Sequence, residues 1–390
     1  MKGHIGISSP FFIVKEKLPA LIRDIKKEDA KDIVKLFELN YEDTYYKKSF
    51  YNPSTWEEMA ESKKYYPVVA EVDGKVVGQF LLIVNDKYNG EIAAVVVHPD
   101  YKGRGLMNQM FDYLIQKAKS LGLFAIYGEA IMFHPFSQKA NLKHGMIETA
   151  LQLGEVASWI SQKDIKFEKR SATLVSYLLF KKQKRTLYLP KIYKNIILDR
   201  YKKLNIPLSK AVIRPLKKSL RLWENRLLKL SGLIIDGKIK NFENRFNTLF
   251  AKAKLRGEMV YADINLHTRE IDEIVSFLNN KRFFYSGVLF YRYNGYDYLR
   301  LQYENTHNVE ERLNVCYSDY CKWLSKFVRE DKKRFFYSGV LFYRYNGFDY
   351  LRLQYENTHN VEERLNVCFS DYCKWLSKFV REDKKRVYRL

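Results

Sequence analysis

The stretch that most limits the fold of this 390-residue chain is "GEIAAVVVHPDYKGRGLMNQMFDYLIQ", beginning at Gly90. Residues 90–97 are a short apolar run of β-branched and small side chains, the pattern of a buried strand. Beyond it, Met107, Met110, Phe111, Leu114 and Ile115 recur at helical spacing. The only Gly-x-Gly of the chain, Gly103 and Gly105, therefore falls between a strand and a helix start. Unpaired backbone N–H groups and the positive end of the helix dipole make such a junction attractive to anions. Two readings stand open here, a phosphate cradle and a plain tight turn. The loop is neither a P-loop, which needs Gly-x-x-x-x-Gly-Lys-Ser/Thr, nor a dinucleotide fingerprint, whose third glycine is replaced by Asn108.

Neighbouring segments extend the strand and helix into an α/β pattern. "DAKDIVKLFELNYED" reads as an amphipathic helix, "YYPVVAEVDGKVVGQFLLIVN" as a hairpin turning at Asp73-Gly74, "LFAIYGEAIM" and "SATLVSYLLF" as strands, and "FHPFSQKANLKHG" as a helix start. Residues 181–258 differ, because "LSKAVIRPLKKSLRLWENRLLKLSG" and "KIKNFENRFNTLFAKAKLRGE" read as basic amphipathic helices. In a helical hairpin, Trp223 with Leu222, Leu227, Leu228 and Leu230 would pack against Phe242, Phe246, Leu249 and Phe250. "EMVYADINL" then reads as a strand and "TREIDEIVSFLNN" as a helix.

Residues 281–332 recur as 333–384, a period of 52, with only Tyr296 to Phe348 and Tyr317 to Phe369 changed. Each copy reads as strand ("FFYSGVLFYRYNG"), strand ("DYLRLQYEN"), strand ("ERLNVC") and helix ("SDYCKWLSKFV"). Only the first copy follows the strand and helix of residues 259–280, so it is the one expected to complete a compact α/β unit. The second would then be an added lobe or a competitor for the same slot, as in domain swapping. The organisation expected is 1–180, a basic helical connector at 181–258, an α/β half domain at 259–332, and its near-identical copy with a tail at 333–390.

Charge is concentrated in one place. Residues 1–160 hold 20 Lys+Arg and 20 Asp+Glu, residues 161–260 hold 26 and 7, and residues 261–390 hold 22 and 18. For the net +19 over about a hundred residues three readings stay open: the solvated face of a linker, a nucleic-acid or other anionic partner of 181–258, and an interfacial membrane helix around Trp223. Cys316, Cys321, Cys368 and Cys373 follow the duplication rather than a disulfide or zinc framework, so no metal is expected. No apolar run reaches the roughly 18 residues of a spanning helix and the start lacks a signal-peptide pattern, which predicts a cytoplasmic protein.

With these residues in view, about residues 20–180 resemble the GNAT N-acetyltransferase superfamily. Its acetyl-CoA loop, Arg/Gln-x-x-Gly-x-Gly/Ala between a strand and a helix, falls on Lys102-Gly103-Arg104-Gly105-Leu106-Met107. Gly105 matches, Lys102 is a conservative departure, and Met107 stands where Gly or Ala is usual. "YGEAIMFHPFSQKANLKHGMIETALQLG" and "FFYSGVLF...DYLRLQY" are similar to a GNAT subgroup that carries a second, GNAT-like half domain and is sometimes fused to an anti-sigma-factor-like ATPase. The resemblance implies an α/β (α+β) fold, a mixed sheet flanked by helices. It also implies acetyl-CoA as co-substrate, held by the backbone of Lys102 to Met107 and Asn108 and along Val95, Val96 and Val97.

Acetyl transfer to an amine needs a deprotonated nucleophile, a stabilised oxyanion and a proton for the departing thiolate. Glu91, eleven residues before Lys102, matches the spacing of the family's strand-borne base, and Glu129 on the next strand is the second candidate. The family's acidic tyrosine aligns with Asn141, which has no titratable proton. His144, Ser137 or water would take its place, while His134 and His144 also suit structural roles. The expectation is an acetyl-CoA-dependent N-acetyltransferase acting on an amine. A non-catalytic acyl-CoA sensor or scaffold is the alternative.

Overall fold

The computed structural model describes residues 17–160, 168–209, 217–306, 309, 316–336, 340–345 and 348–353. In chain order the elements are β1 (Leu21–Asp24), α1 (Ala30–Tyr41), α2 (Pro53–Ala60), β2 (Tyr65–Val72), β3 (Lys75–Val84), β4 (Asn89–Val97), α3 (Leu106–Ser120), β5 (Ala125–Ile131), α4 (Phe136–Lys143), β6 (Ile147–Val156) and β7 (Ser171–Leu179). There follow α5 (Lys194–Lys203), β8 (Ser219–Asn225), β9 (Leu230–Asp236), α6 (Phe242–Arg256), β10 (Met259–Asn265), α7 (Ile271–Asn280), β11 (Phe284–Tyr293), β12 (Tyr296–Glu304), α8 (Asp319–Phe336), β13 (Val340–Tyr345) and β14 (Phe348–Leu353).

Twelve strands form one sheet in the order β1-β2-β3-β4-β5-β7-β6-β11-β12-β10-β9-β8. The hairpin β13–β14 is a separate two-stranded sheet. The twelve strands contain the same topology twice. In the first lobe β4 leads through α3 to the parallel strand β5, then through α4 to the antiparallel pair β6–β7, in the order β3-β4-β5-β7-β6. In the second, β9 leads through α6 to the parallel strand β10, then through α7 to β11–β12, in the order β8-β9-β10-β12-β11. The terminal strands β6 and β11 meet antiparallel at Gly287 and Ala150. Register therefore runs in one row across both lobes: Glu129–Val175–Ala150–Gly287–Arg300–Asp263.

The local reasons are ordinary ones. Asp73 and Gly74 take the positive φ of 48° and 74° that a tight hairpin between β2 and β3 requires. α3 buries Leu106, Met110, Phe111, Leu114, Ile115 and Ala118, the stripe read from the sequence, against Val68, Phe80, Leu82, Ile92 and Ile126 of the sheet. On the opposite face α1 and α2 cover Val69, Leu81, Ile83 and Val96. A third cluster continues through the seam between the lobes, from Leu151, Val175 and Tyr177 to Tyr261, Tyr285, Val288 and Phe290.

Of the stretch 208–232, expected to be helical, the described residues 219–225 form β8 and 230–232 begin β9, which pair as an antiparallel hairpin. Leu230–Asp236 is buried throughout, and its small and branched side chains suit a strand covered on both faces, where no alternation shows. Trp223 and Leu222 consequently lie on β8, not in a helical hairpin. The basic residues around them find acids elsewhere: Arg185 with Asp297 (2.9 Å), Arg221 with Asp236 (3.0 Å), Lys218 with Glu270 (2.6 Å) and Lys238 with Glu273 (2.7 Å). The strand read at "ERLNVC" lies outside the described residues apart from Cys316, as does most of the second copy. No described helix is long and apolar enough to cross a membrane.

Candidate active site

β4 is distorted where chemistry was expected. Its register with β3 slips between Gln79 opposite Val96 and Leu81 opposite Ala93, which leaves one extra residue on β4. Ala94, in that interval, has φ 56°, a left-handed conformation uncommon for a residue with a Cβ. β5 pairs with β4 only over Asn89–Ile92 opposite Ala125–Gly128. Beyond that point β4 carries Ala93 to Val97 without a β5 partner, so the sheet opens into a wedge. Val95 and Val97 pack on the α3 side and Val96 on the α1 side.

The wedge leads to the glycine loop. Gly103 and Gly105 have φ 81° and 82°, and Gly105 is the left-handed N-cap of α3. A Cβ at Gly103 would meet nothing, so conformation rather than space requires glycine there. Lys102 N–H donates to the Pro99 carbonyl (3.3 Å). No described residue accepts from the N–H of Gly103, Arg104, Gly105, Leu106, Met107 or Asn108. Six consecutive amides at a helix start form a concave donor array suited to a diphosphate. Leu18 steadies the loop, its N–H donating to the Arg104 carbonyl (3.3 Å) and its own carbonyl accepting from Gln109 Nε2 (3.1 Å). Met107 packs against the apolar cluster beneath α3.

On the α1 side of the wedge the register aligns Glu91 of β4 with Tyr127 of β5 and Tyr177 of β7. Tyr127 Oη donates to Glu91 Oε2 at 3.2 Å, and the two tyrosine rings stack at 5.4 Å. Burial pushes the Glu91 carboxyl above the usual carboxylate range and the charge of Glu129 adds to the rise. Lys47, Arg292 and the Tyr127 hydroxyl oppose it. A partly buried carboxylate whose proton affinity is raised suits a general base. Glu129, two residues after Tyr127 on the same face of β5, is half-buried.

Several members of the site were missed in the sequence. Glu155, at the end of β6, accepts from Tyr261 Oη, and burial with Glu129 nearby raises its carboxyl to about 7. Tyr46 and Lys47, between α1 and α2, lie close enough to Glu91 and Glu129 to feel both charges. Arg292 comes from β11. No spacing motif links these positions, because the sheet assembles them from segments more than a hundred residues apart.

Asn141 is buried, its Nδ2 3.5 Å from where a Gly128 Cβ would stand, at the point where β4 and β5 part. It supplies a neutral donor. His144 is committed elsewhere: Nδ1 donates to the Ala140 carbonyl (2.7 Å), Nε2 faces Asp112 Oδ1 (3.3 Å), and the ring stacks on Phe111 at 4.1 Å. His134 has a buried Nδ1 without a partner among the described residues, and burial followed by the charge of Lys102 lowers its pKa. Ser137 is half-buried on α4.

The profile of the Acetyltransferase (GNAT) family matches residues 30–138. Solved structures similar to part of the chain include an acetyltransferase from Salmonella typhimurium with its cofactor acetyl-CoA, at 18% identity over 42% of this chain and 95% of that one, TM-score 0.36. An N-acetyltransferase from Staphylococcus aureus Mu50 shows 19% identity over 42% and 100%, TM-score 0.36. The ribosomal-protein-S18-alanine N-acetyltransferase from Escherichia coli shows 14% over 41% and 94%, TM-score 0.34. No curated protein sequence matches.

Proposed function

We propose, from the GNAT acetyltransferase domain at residues 30–138, that this chain is an acetyl-CoA-dependent N-acetyltransferase acting on an amine. The observation that carries the reading is the run of six amides from Gly103 to Asn108, unpartnered among the described residues, at the mouth of a wedge that ends beside Glu91. Those amides, with the positive charge of Lys102 and Arg104, would hold the diphosphate. The unpaired edge of β4 from Ala93 to Val97 would align the pantetheine arm as an added strand. When bound, the thioester supplies the acyl group, and this chain supplies its surroundings. Glu91 takes the proton of the incoming ammonium, directly or through one water. Asn141, at the apex of the wedge, offers an amide hydrogen bond.

Calorimetry with acetyl-CoA tests the cradle, and absence of heat removes the cofactor claim. Thiol release with a pool of amine acceptors tests catalysis. Glu91→Gln is expected to lower kcat/KM by about 10²–10⁴-fold, the usual contribution of a positioned base. A loss below tenfold takes that role from Glu91. The lack of a titratable group at Asn141 favours, as a second reading, a domain that binds acetyl-CoA without turnover. Retained binding with no thiol release from any acceptor selects it.

A further inference from the structure

The two lobes exchange strand ends. The tip of β6 sends Glu155 to Tyr261 of the second lobe, while the tip of β11 sends Arg292 to Tyr127 of the first. Gly154 (φ 63°) and Tyr291 (φ 51°) bend the two strands one residue before each exchanged side chain. Tyr127 and Tyr261 hold equivalent places, on β5 and β10, opposite Tyr177 and Gln302.

We infer that Arg292, delivered by the second lobe, is a positioning residue of the acetyl-transfer site: with Asn85 it fills the acceptor capacity of the Tyr127 hydroxyl, so that the single hydroxyl proton points at Glu91. This inference rests on the acetyltransferase reading above. A hydroxyl has one proton and two lone pairs. Asn85 Nδ2 (3.2 Å) and Arg292 Nη1 (3.1 Å) both donate to Tyr127 Oη, which leaves its proton for Glu91 Oε2. The groups that face Glu91 are Tyr45, Tyr46 and Lys47 from the segment between α1 and α2, Tyr127 and Glu129 from β5, and Arg292 from β11. Only Lys47 and Arg292 among them are cations. Burial makes the Lys47 ammonium easier to deprotonate, whereas a guanidinium keeps its charge. Arg292 is thus a permanent counter-charge to Glu91.

The delivery depends on docking. In β11 the register slips between Leu289 and Tyr293, so Val288 faces Leu299. In the second copy the hairpin, identical but for Phe348 in place of Tyr296, forms β13–β14 in continuous register, and Val340 faces Leu353, two residues past the counterpart of Leu299. The bend that presents Arg292 therefore belongs to the hairpin seated against β6, not to the hairpin sequence alone.

The test uses the full chain carrying Arg292→Met, Arg292→Lys or Arg344→Met, the last altering the equivalent arginine of the second copy. Two quantities are read: the pH profile of kcat/KM for acetyl transfer, and the ¹³C titration of the Glu91 carboxyl assigned with Glu91→Gln. Arg292→Met is expected to move the acidic limb and the carboxyl titration up by about one pH unit, with roughly tenfold lower kcat/KM on the limb and little change on the plateau. Arg292→Lys should recover most of that shift, and Arg344→Met should leave the profile in place. A uniform fall at every pH with an unmoved limb overturns the inference, as does a shift produced by Arg344→Met instead. If the wild type releases no thiol, the acetyltransferase reading falls. The carboxyl titration then decides alone: an upward move in Arg292→Met supports the inference and an unmoved one overturns it.

Discussion

The two lobes share a strand order but treat the same positions in opposite ways. In the first lobe, β4 and β5 pair over four residues and part, and Glu129 has no hydrogen-bond or ion-pair partner among the described residues. In the second, β9 and β10 pair over six residues, from Met259 opposite Leu230 to Ile264 opposite Ile235. Asp263, at the place of Glu129, is fully buried and gripped by Arg300 Nε (2.7 Å) and Nη2 (2.8 Å) and by Tyr293 Oη (3.0 Å). The position that corresponds to Glu91 is Gly232, and the Trp223 indole occupies the space a side chain there would need. Only the opened lobe leaves charge unspent. In the closed lobe the equivalent groups are consumed in packing, and its contribution to chemistry is the arm that carries Arg292.

The contrast can be broken experimentally. The largest effect is expected for Asp263→Asn, which strands the buried Arg300 and should destabilise by about 3–5 kcal/mol in denaturant unfolding. Glu129→Gln, at the equivalent place, should stay within about 0.5 kcal/mol and act on amine kinetics instead. Equal stability losses at the two sites would erase the distinction. Next comes pH. The Glu155 carboxyl is raised in the folded state to about 7, so its protonated form favours folding. Its contribution is complete below the unfolded carboxylate pKa and is lost as pH rises through about 7, a fall of about 2 kcal/mol at roughly 1.4 kcal/mol per unit, discounted for partial exposure. Glu155→Gln should flatten that part of the stability curve between pH 5 and 8. A wild-type-like slope in the variant assigns the dependence elsewhere. The smallest effect is expected at the bulge: Ala94→Gly relieves the left-handed strain at φ 56°, for a gain of about 0.5 kcal/mol after the unfolded chain's added entropy. A loss instead would mean that the Ala94 methyl group is needed for packing.

Much of the first lobe was legible in the sequence because its signals are local. The apolar stripe of α3, the Asp73-Gly74 turn and the glycine pair each announce one element, whereas Glu91 was named only through the spacing of the family it resembles. The second lobe was harder. Buried strands such as Leu230–Asp236 lack alternation, and the lysines and arginines around β8 look like a solvated helical linker until their acidic partners, contributed by residues 236–297, are brought near. Glu155 and Arg292 were invisible for a different reason. Each acts on the lobe opposite its own, and the bends at Gly154 and Tyr291 that aim them arise from tertiary contact. The two hairpin copies make this plain, since sequences that differ only at Tyr296 and Phe348 adopt two registers.

The seam between the lobes closes at a residue without a side chain. A Cβ on Gly287 would overlap the Thr149 carbonyl oxygen and Ala150, so the two backbones touch because nothing stands between them. A single hydrogen atom thus sets the spacing of the molecule's halves. Enlarging it to a methyl group would act as a shim, lifting the guanidinium away from the phenol it serves some five residues along the strand while leaving each half its own interior.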